Sequence, residues 1–164
     1  MLSEKLLKEM NDQIKHEMFS ANYYLAMSAW CHDQNLPGFG NFFKVQAQEE
    51  NMHAMKFFDF IDELGQRVII QGMDEPINEF DSLQAVFQAA YEHEQFVTKR
   101  IHLLMDIAME EKNYPAVSFL NWFVDEQVEE EDSMLTILEK IKLVGDKGHV
   151  LYMLDKEMAA RGAH

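Results

Sequence analysis

Apolar residues in this chain recur every three to four positions along four long stretches, and that periodicity leaves few folds open. A stripe of this period is one face of an α-helix, and long helices can bury such stripes only against one another. Ser3 is placed to cap the first helix, whose stripe of Leu6, Leu7, Met10, Ile14, Met18, Ala21 and Leu25 runs to about His32. After Asn35-Leu36-Pro37-Gly38, Pro37 is suited to open a second helix, with Phe39, Phe42, Phe43, Gln46, Glu50, His53, Phe57, Phe60, Ile61 and Leu64 on its stripe and Gly65 at its end. Asp81 or Ser82 caps a third, with Leu83, Val86, Phe87, Ala90, Glu94, Val97, Ile101, Leu104 and Ala108 in register until about Lys112. Asn113-Tyr114-Pro115 restarts a fourth, carrying Leu120, Phe123, Gln127, Glu130, Met134, Ile137, Leu138 and Ile141 as far as Gly145. A short fifth helix is expected from about Asp146 to Met158.

Each of the four would span about 42 Å at 1.5 Å per residue. Short links join the first to the second and the third to the fourth, whereas residues 65–81 hold two glycines and a proline without helical period. The expectation is therefore an all-α four-helix bundle over residues 1–145 with one long crossover, followed by a short C-terminal helix and tail over 146–164. No internal repeat or low-complexity tract interrupts it, and the acidic run Glu129-Glu130-Glu131-Asp132 lies inside a periodic helix.

Charge narrows the partners. With 29 acids against 14 bases the net charge is −15, which disfavours nucleic acid and anionic membrane surfaces, both of which need clustered Lys and Arg. Cations are the natural clients of such a field. One cysteine, Cys31, rules out an internal disulfide framework and a four-cysteine zinc site, and packing is the role expected for it. A reducing cytoplasm fits that usage. The opening MLSEKLLKEMNDQIKHE alternates charged with apolar residues and does not read as a secretion signal, and no apolar run approaches membrane-spanning length.

The decisive residues are the polar ones on the apolar stripes. Glu17 continues the line of Met10 and Ile14; Glu50 and His53 lie between Gln46 and Phe57; Glu94 lies between Ala90 and Ile101; Gln127 and Glu130 lie between Phe123 and Met134. Every long helix thus carries ligand-type groups near its middle, at one height of the bundle. Burying a bare carboxylate costs several kcal/mol even after relaxation, and no inward Lys or Arg is evident on these stripes to offset it. A multivalent cation would. Residues three apart share a helix face, so Glu50 and His53 can hold one ion together. Oxygen-rich ligands with one or two imidazoles suit iron or manganese better than structural zinc.

From MLSEKLLKEMNDQI through Glu17, Tyr24, QEENMH, YEHE and DEQVEEE to LDKEMAARG, the chain closely resembles the bacterial non-haem ferritins. The resemblance implies a ferritin-like bundle and a dinuclear ferroxidase centre. In it Glu17, Glu50 and His53 hold one iron, Glu50 bridges, and Glu94 and Glu130 hold the second. It places Gln127 beside the centre, Tyr24 as a hydrogen-bonding neighbour and possible electron donor, and a third iron site at Glu49, Glu126, Glu129 and Glu130. It further implies a homo-oligomeric hollow shell, of 24 subunits in octahedral symmetry, with the fifth helix at its fourfold axis. There Fe(II) is oxidised by dioxygen or hydrogen peroxide and deposited as ferric mineral, for storage and detoxification.

Departures from the wider di-iron pattern sharpen this expectation. The fourth helix offers Gln127 and Glu130 where many di-iron bundles have a second Glu-x-x-His, so the second iron has only oxygen ligands and is held more loosely. That suits onward release, and with the absence of rubredoxin-type cysteines it counts against a di-iron peroxidase or oxygenase acting on other substrates. An inert structural subunit would have lost ligands, and none is missing. Haem is not expected: in bacterioferritin the axial methionine directly follows the bridging glutamate, whereas Asn51 follows Glu50 here and Met52 comes one position late. His16 and His93 adjoin Glu17 and Glu94, but one step along a helix turns a side chain by about 100°, so both are expected to be exposed or at subunit contacts. His32, His102, His149 and His164 have no ligand-spaced partner, and Trp30 and Trp122 are read as packing residues.

Overall fold

The computed structural model describes residues 1–145 and 148–162. Five helices follow in order: α1 (Glu4–Asp33), α2 (Pro37–Glu63), α3 (Leu83–Glu110), α4 (Tyr114–Val144) and α5 (Gly148–Ala159). The first four form the bundle and α5 is the short C-terminal helix, as the periodicity predicts; Asp146, the expected start of α5, and His164 lie outside the described residues.

Local chemistry sets the helix ends. The Ser3 and Ser82 hydroxyls accept from the backbone N–H groups of Leu6 and Ala85, both at 3.1 Å, and the Asn113 side chain accepts from Ala116 N–H at 3.2 Å. Pro37 and Pro115 sit in first turns, where the missing N–H costs nothing. Asn35 (φ 59°) and Lys112 (φ 55°) take the left-handed conformation that turns the chain through its two short links.

The crossover, residues 66–82, lies along α1 and is tied to it. Ile69 N–H donates to Asn11 Oδ1 at 2.7 Å, Asn11 Nδ2 donates to the Arg67 backbone carbonyl at 3.2 Å, and Gln66 exchanges two hydrogen bonds with the Leu2 backbone. At the other end α5 rests on the start of α2, where Phe39 N–H donates to the Asp155 carboxylate at 3.0 Å. Gly38 permits that approach: a Cβ there would stand 1.6 Å from the Asp155 carbonyl oxygen.

The apolar core has two separate parts. One gathers Tyr24, Met27, Phe39, Phe43, Phe87 and Met134; the other gathers Met10, Ile14, Phe57, Ile101, Leu120 and Phe123. The polar residues on the stripes fall between them, all of them buried. Among the described residues no helix is long and apolar enough to cross a membrane.

Candidate metal centre

One residue from each long helix, or two, turns into this layer. Glu17 comes from α1, Glu50 and His53 from α2, Glu94 from α3, and Gln127 and Glu130 from α4, and all six are buried. Glu17, Glu50 and His53 bring a ligand atom each to within 4.8 Å of one another, as do Glu50, Glu94 and Glu130. The two groups share Glu50. His53 Nδ1 is 3.4 Å from one Glu50 oxygen and 3.9 Å from one Glu17 oxygen. Both His53 Nδ1 and that Glu17 oxygen are buried without any hydrogen-bond partner. Buried polar atoms are ordinarily paired, so two orphans facing each other mark the place of a ligand.

Electrostatics point the same way. Burial pushes the carboxyls of Glu17, Glu50 and Glu130 well above the usual range, and the neighbouring carboxylates push them further: Glu50 on Glu17, Glu94 and Glu130 on Glu50, Glu94 on Glu130. Burial also raises Glu94, opposed by hydrogen bonds from the Tyr24 hydroxyl at 2.5 Å and from Gln127 Nε2 at 3.1 Å. Four such groups cannot all ionise side by side without a cation, and one or two divalent ions would replace their protons. The donor set, mostly carboxylate with one imidazole, fits iron.

Tyr24 is fully buried against Glu94, and Gln127 also donates to the Glu94 carbonyl and the Thr98 hydroxyl. The four acids of the expected third site are more dispersed. Glu126 approaches Glu130 and His53 within 4.8 Å, forming a third ligand group. Glu49 accepts a hydrogen bond from Arg161, and Glu129 is exposed. Glu49, Glu126 and Glu129 nonetheless line one cleft of about 310 Å³ with Met52, His53, Lys56 and Trp122. That cleft leads from the surface to His53. Trp122 stands edge-on to the His53 ring at 5.4 Å and carries the Lys56 ammonium over its own ring at 3.7 Å. Met52 is 49% exposed at its rim.

Two histidines beside the centre are less exposed within the chain than their helix positions suggest. His16 and His93 are half-buried among the aromatic rings of α1 and α3, and line one pocket with residues 72–74 of the crossover. His93 Nε2 is 2.7 Å from the Ser20 hydroxyl, its ring contacts Phe19, Tyr23 and Tyr24, and burial lowers both imidazoles to about 4. Cys31 is buried in the first apolar cluster with its thiol pushed up to about 12 by burial, a packing residue as read from the sequence.

Two arginines near the centre are absent from any stripe. Arg161, just beyond α5, reaches Gln46 Oε1 at 2.8 Å and Glu49 at 3.1 Å; Arg100, on α3, reaches Gln13 Oε1 at 3.2 Å. Their only sequence signal is the pair of buried glutamines they meet, each four residues before a candidate ligand glutamate.

Residues 7–144 match the family model described as a ferritin-like domain. A bacterial non-heme ferritin of Staphylococcus haemolyticus is 43% identical over 161 residues, covering 98% of this chain and 97% of that one. A probable bacterial non-heme ferritin-like protein of Haemophilus influenzae is 41% identical over 158 residues, 96% of each. Among solved structures, a ferritin of Archaeoglobus fulgidus engineered into a closed form superposes with a TM-score of 0.98 at 48% identity over the whole of both chains. The open-pore ferritin of the same archaeon superposes at 0.97, with 48% identity over 98% of each chain.

Proposed function

This chain belongs to the ferritin family and stores iron, and on that premise we propose that each subunit also oxidises its cargo. Two Fe(II) ions bind between the helices: Glu17, Glu50 and His53 hold one, Glu94 and Glu130 hold the other, and Glu50 bridges them. Each gives up one electron. The pair reduces dioxygen with two protons to hydrogen peroxide, or hydrogen peroxide with two protons to two waters. A buried carboxylate cage attracts the ferric charge more than the ferrous one, since the field is poorly screened there, and so favours oxidation. Tyr24 and Gln127 hold the Glu94 carboxylate at the second ion. The all-oxygen second position gives up Fe(III) readily, and Glu126, Glu49, Glu129 and Glu130 form the third site on its way out through the cleft. Ferric iron then hydrolyses and mineralises inside a shell of 24 copies with octahedral symmetry, in the cytoplasm.

The observation that carries this reading is the pair of buried, unpartnered atoms, Glu17 Oε2 and His53 Nδ1, converging with Glu50 on one point. Aerobic Fe(II) loading of the iron-free protein, followed on a sizing column with in-line iron absorbance, tests it. Hundreds of ferric ions should elute with a particle on the order of half a megadalton. About two irons per chain on a small species would instead favour a di-iron peroxidase or oxygenase.

A further inference from the structure

Two of the ligand glutamates are held in the same unusual way from behind. On α1, Gln13 Nε2 donates to Glu17 Oε1 at 3.1 Å, while Gln13 Oε1 accepts from Arg100 Nε at 3.2 Å. On α2, Gln46 Nε2 donates to Glu50 Oε1 at 3.1 Å, while Gln46 Oε1 accepts from an Arg161 Nη at 2.8 Å. In both, the glutamine is fully buried and sits one turn before its glutamate. Both arginines are also anchored one turn further back: Arg100 on the Glu9 carbonyl at 3.2 Å, Arg161 on the Phe42 carbonyl at 3.3 Å.

The chemistry of arginine fixes what each glutamine can do. A guanidinium has donors only, so the amide oxygen must face it and the amide NH₂ must face the carboxylate. The NH₂ occupies one carboxylate oxygen and leaves the other. In both cases that other oxygen is the one turned toward His53 Nδ1, at 3.9 Å for Glu17 and 3.4 Å for Glu50. Unheld, a carboxylate in this layer could rotate about its side-chain bonds and swing away from the ion.

We infer that Gln13 with Arg100, and Gln46 with Arg161, are positioning residues that present the metal-facing oxygens of Glu17 and Glu50. The inference rests on the proposed ligand set. The two relays differ in reach. Gln13 touches one ligand of one ion, whereas Gln46 also donates to Glu130 at 2.6 Å and so contacts the bridge and a ligand of the second ion. Loss of Gln13 must therefore weaken one site alone, and loss of Gln46 must weaken both.

Co(II) binding to the iron-free protein reads this without turnover, by calorimetry and by the visible bands of the bound ion. Wild type should take up two ions per chain at Glu17, Glu50, His53, Glu94 and Glu130, counted apart from any ion at the outer third site. Gln13→Leu should weaken one by about 10- to 100-fold and leave the other unchanged, and Gln46→Leu should weaken both. Arg100→Met and Arg161→Met should reproduce the two patterns at smaller size, and they keep the inference testable if a glutamine variant fails to fold. Both glutamine variants binding as wild type, or Gln13→Leu weakening both sites equally, would overturn it. His53→Ala separates the two levels: it should abolish the one site that Gln13→Leu weakens. If wild type takes up no Co(II), or His53→Ala changes nothing, the ligand set itself falls and the relays with it.

Discussion

Gly38→Ala should detach α5 from the bundle while leaving the four long helices folded. The new Cβ would lie 1.6 Å from the Asp155 carbonyl oxygen and 2.5 Å from its carbon, where contacts under 3.0 Å are essentially never seen. The obstruction is backbone, so no rotamer change relieves it, and α5 must retreat by the difference, 3.0 − 1.6 = 1.4 Å, or more. That retreat breaks the 3.0 Å hydrogen bond from Phe39 N–H to the Asp155 carboxylate, worth about 1.5–3 kcal/mol as a charged bond at a helix N-terminus. It also uncovers part of Leu154, up to about 2 kcal/mol for a full side chain. Together these put the weakening of α5 docking at about 2–5 kcal/mol, or at least about 30-fold in its opening equilibrium. Hydrogen exchange read by mass spectrometry over residues 148–159 should show that loss of protection, together with the start of α2 where Phe39 N–H loses its acceptor, with α1, α3, α4 and the rest of α2 unchanged. Gly72→Ala, where nothing lies within 4 Å, is the control and should change nothing. Equal protection of α5 in Gly38→Ala and the parent would refute the close packing of α5 on α2.

Three further outcomes are expected. His53→Ala should slow Fe(II) oxidation severely in stopped-flow absorbance while leaving a full-size shell, and Glu130→Ala should impair both the second and the third site; unchanged rates in both would remove these residues from the reaction. Because Glu17, Glu50, Glu94 and Glu130 are raised, cation uptake at neutral pH should release protons, and Zn(II) should bind more tightly at pH 7 than at pH 5.5; a dye in weak buffer counts the protons, and no release would contradict the burial argument. His93 is lowered by burial from 6.5 to about 4, so the unfolded chain takes up a proton that the folded one refuses between those values, and stability falls as pH falls through that window. The cost is on the order of 2 kcal/mol between pH 7 and pH 5. His93→Gln should abolish that share in urea titrations at the two pH values, and an undiminished acid loss would show that His93 is not its source.

Helix identity and ends were legible because they are written in neighbouring residues. Ser3, Ser82 and Asn113 cap, Pro37 and Pro115 start turns, and the stripes hold a 3.6 period for seven or eight turns. The polar layer was legible for the same reason: Glu17, Glu50, His53, Glu94, Gln127 and Glu130 occupy positions that the period assigns to the interior, so their type is at odds with their place. The pocket that His16 and His93 share with residues 72–74 was not legible, since it depends on where that segment, which has no period, comes to rest. Nor was the part of Arg100 and Arg161. Each meets its glutamine across 87 or 115 residues of chain, and a long flexible side chain can reach inward from a backbone position that no stripe marks. Gln13 was overlooked because one buried amide has no meaning until its arginine is known.

The division of the apolar core into two clusters bears on how such a chain can change over time. Each cluster interlocks with itself, and neither leans on the other across the polar layer. Substitutions within the layer therefore alter the chemistry on offer without asking distant side chains to repack, and substitutions within a cluster alter shape without touching the ligands. Reactivity and architecture are heritable here almost as separate traits. A lineage could exchange one set of ligands for another in a few steps and still inherit a scaffold that folds, much as a tool keeps its handle when the blade is replaced.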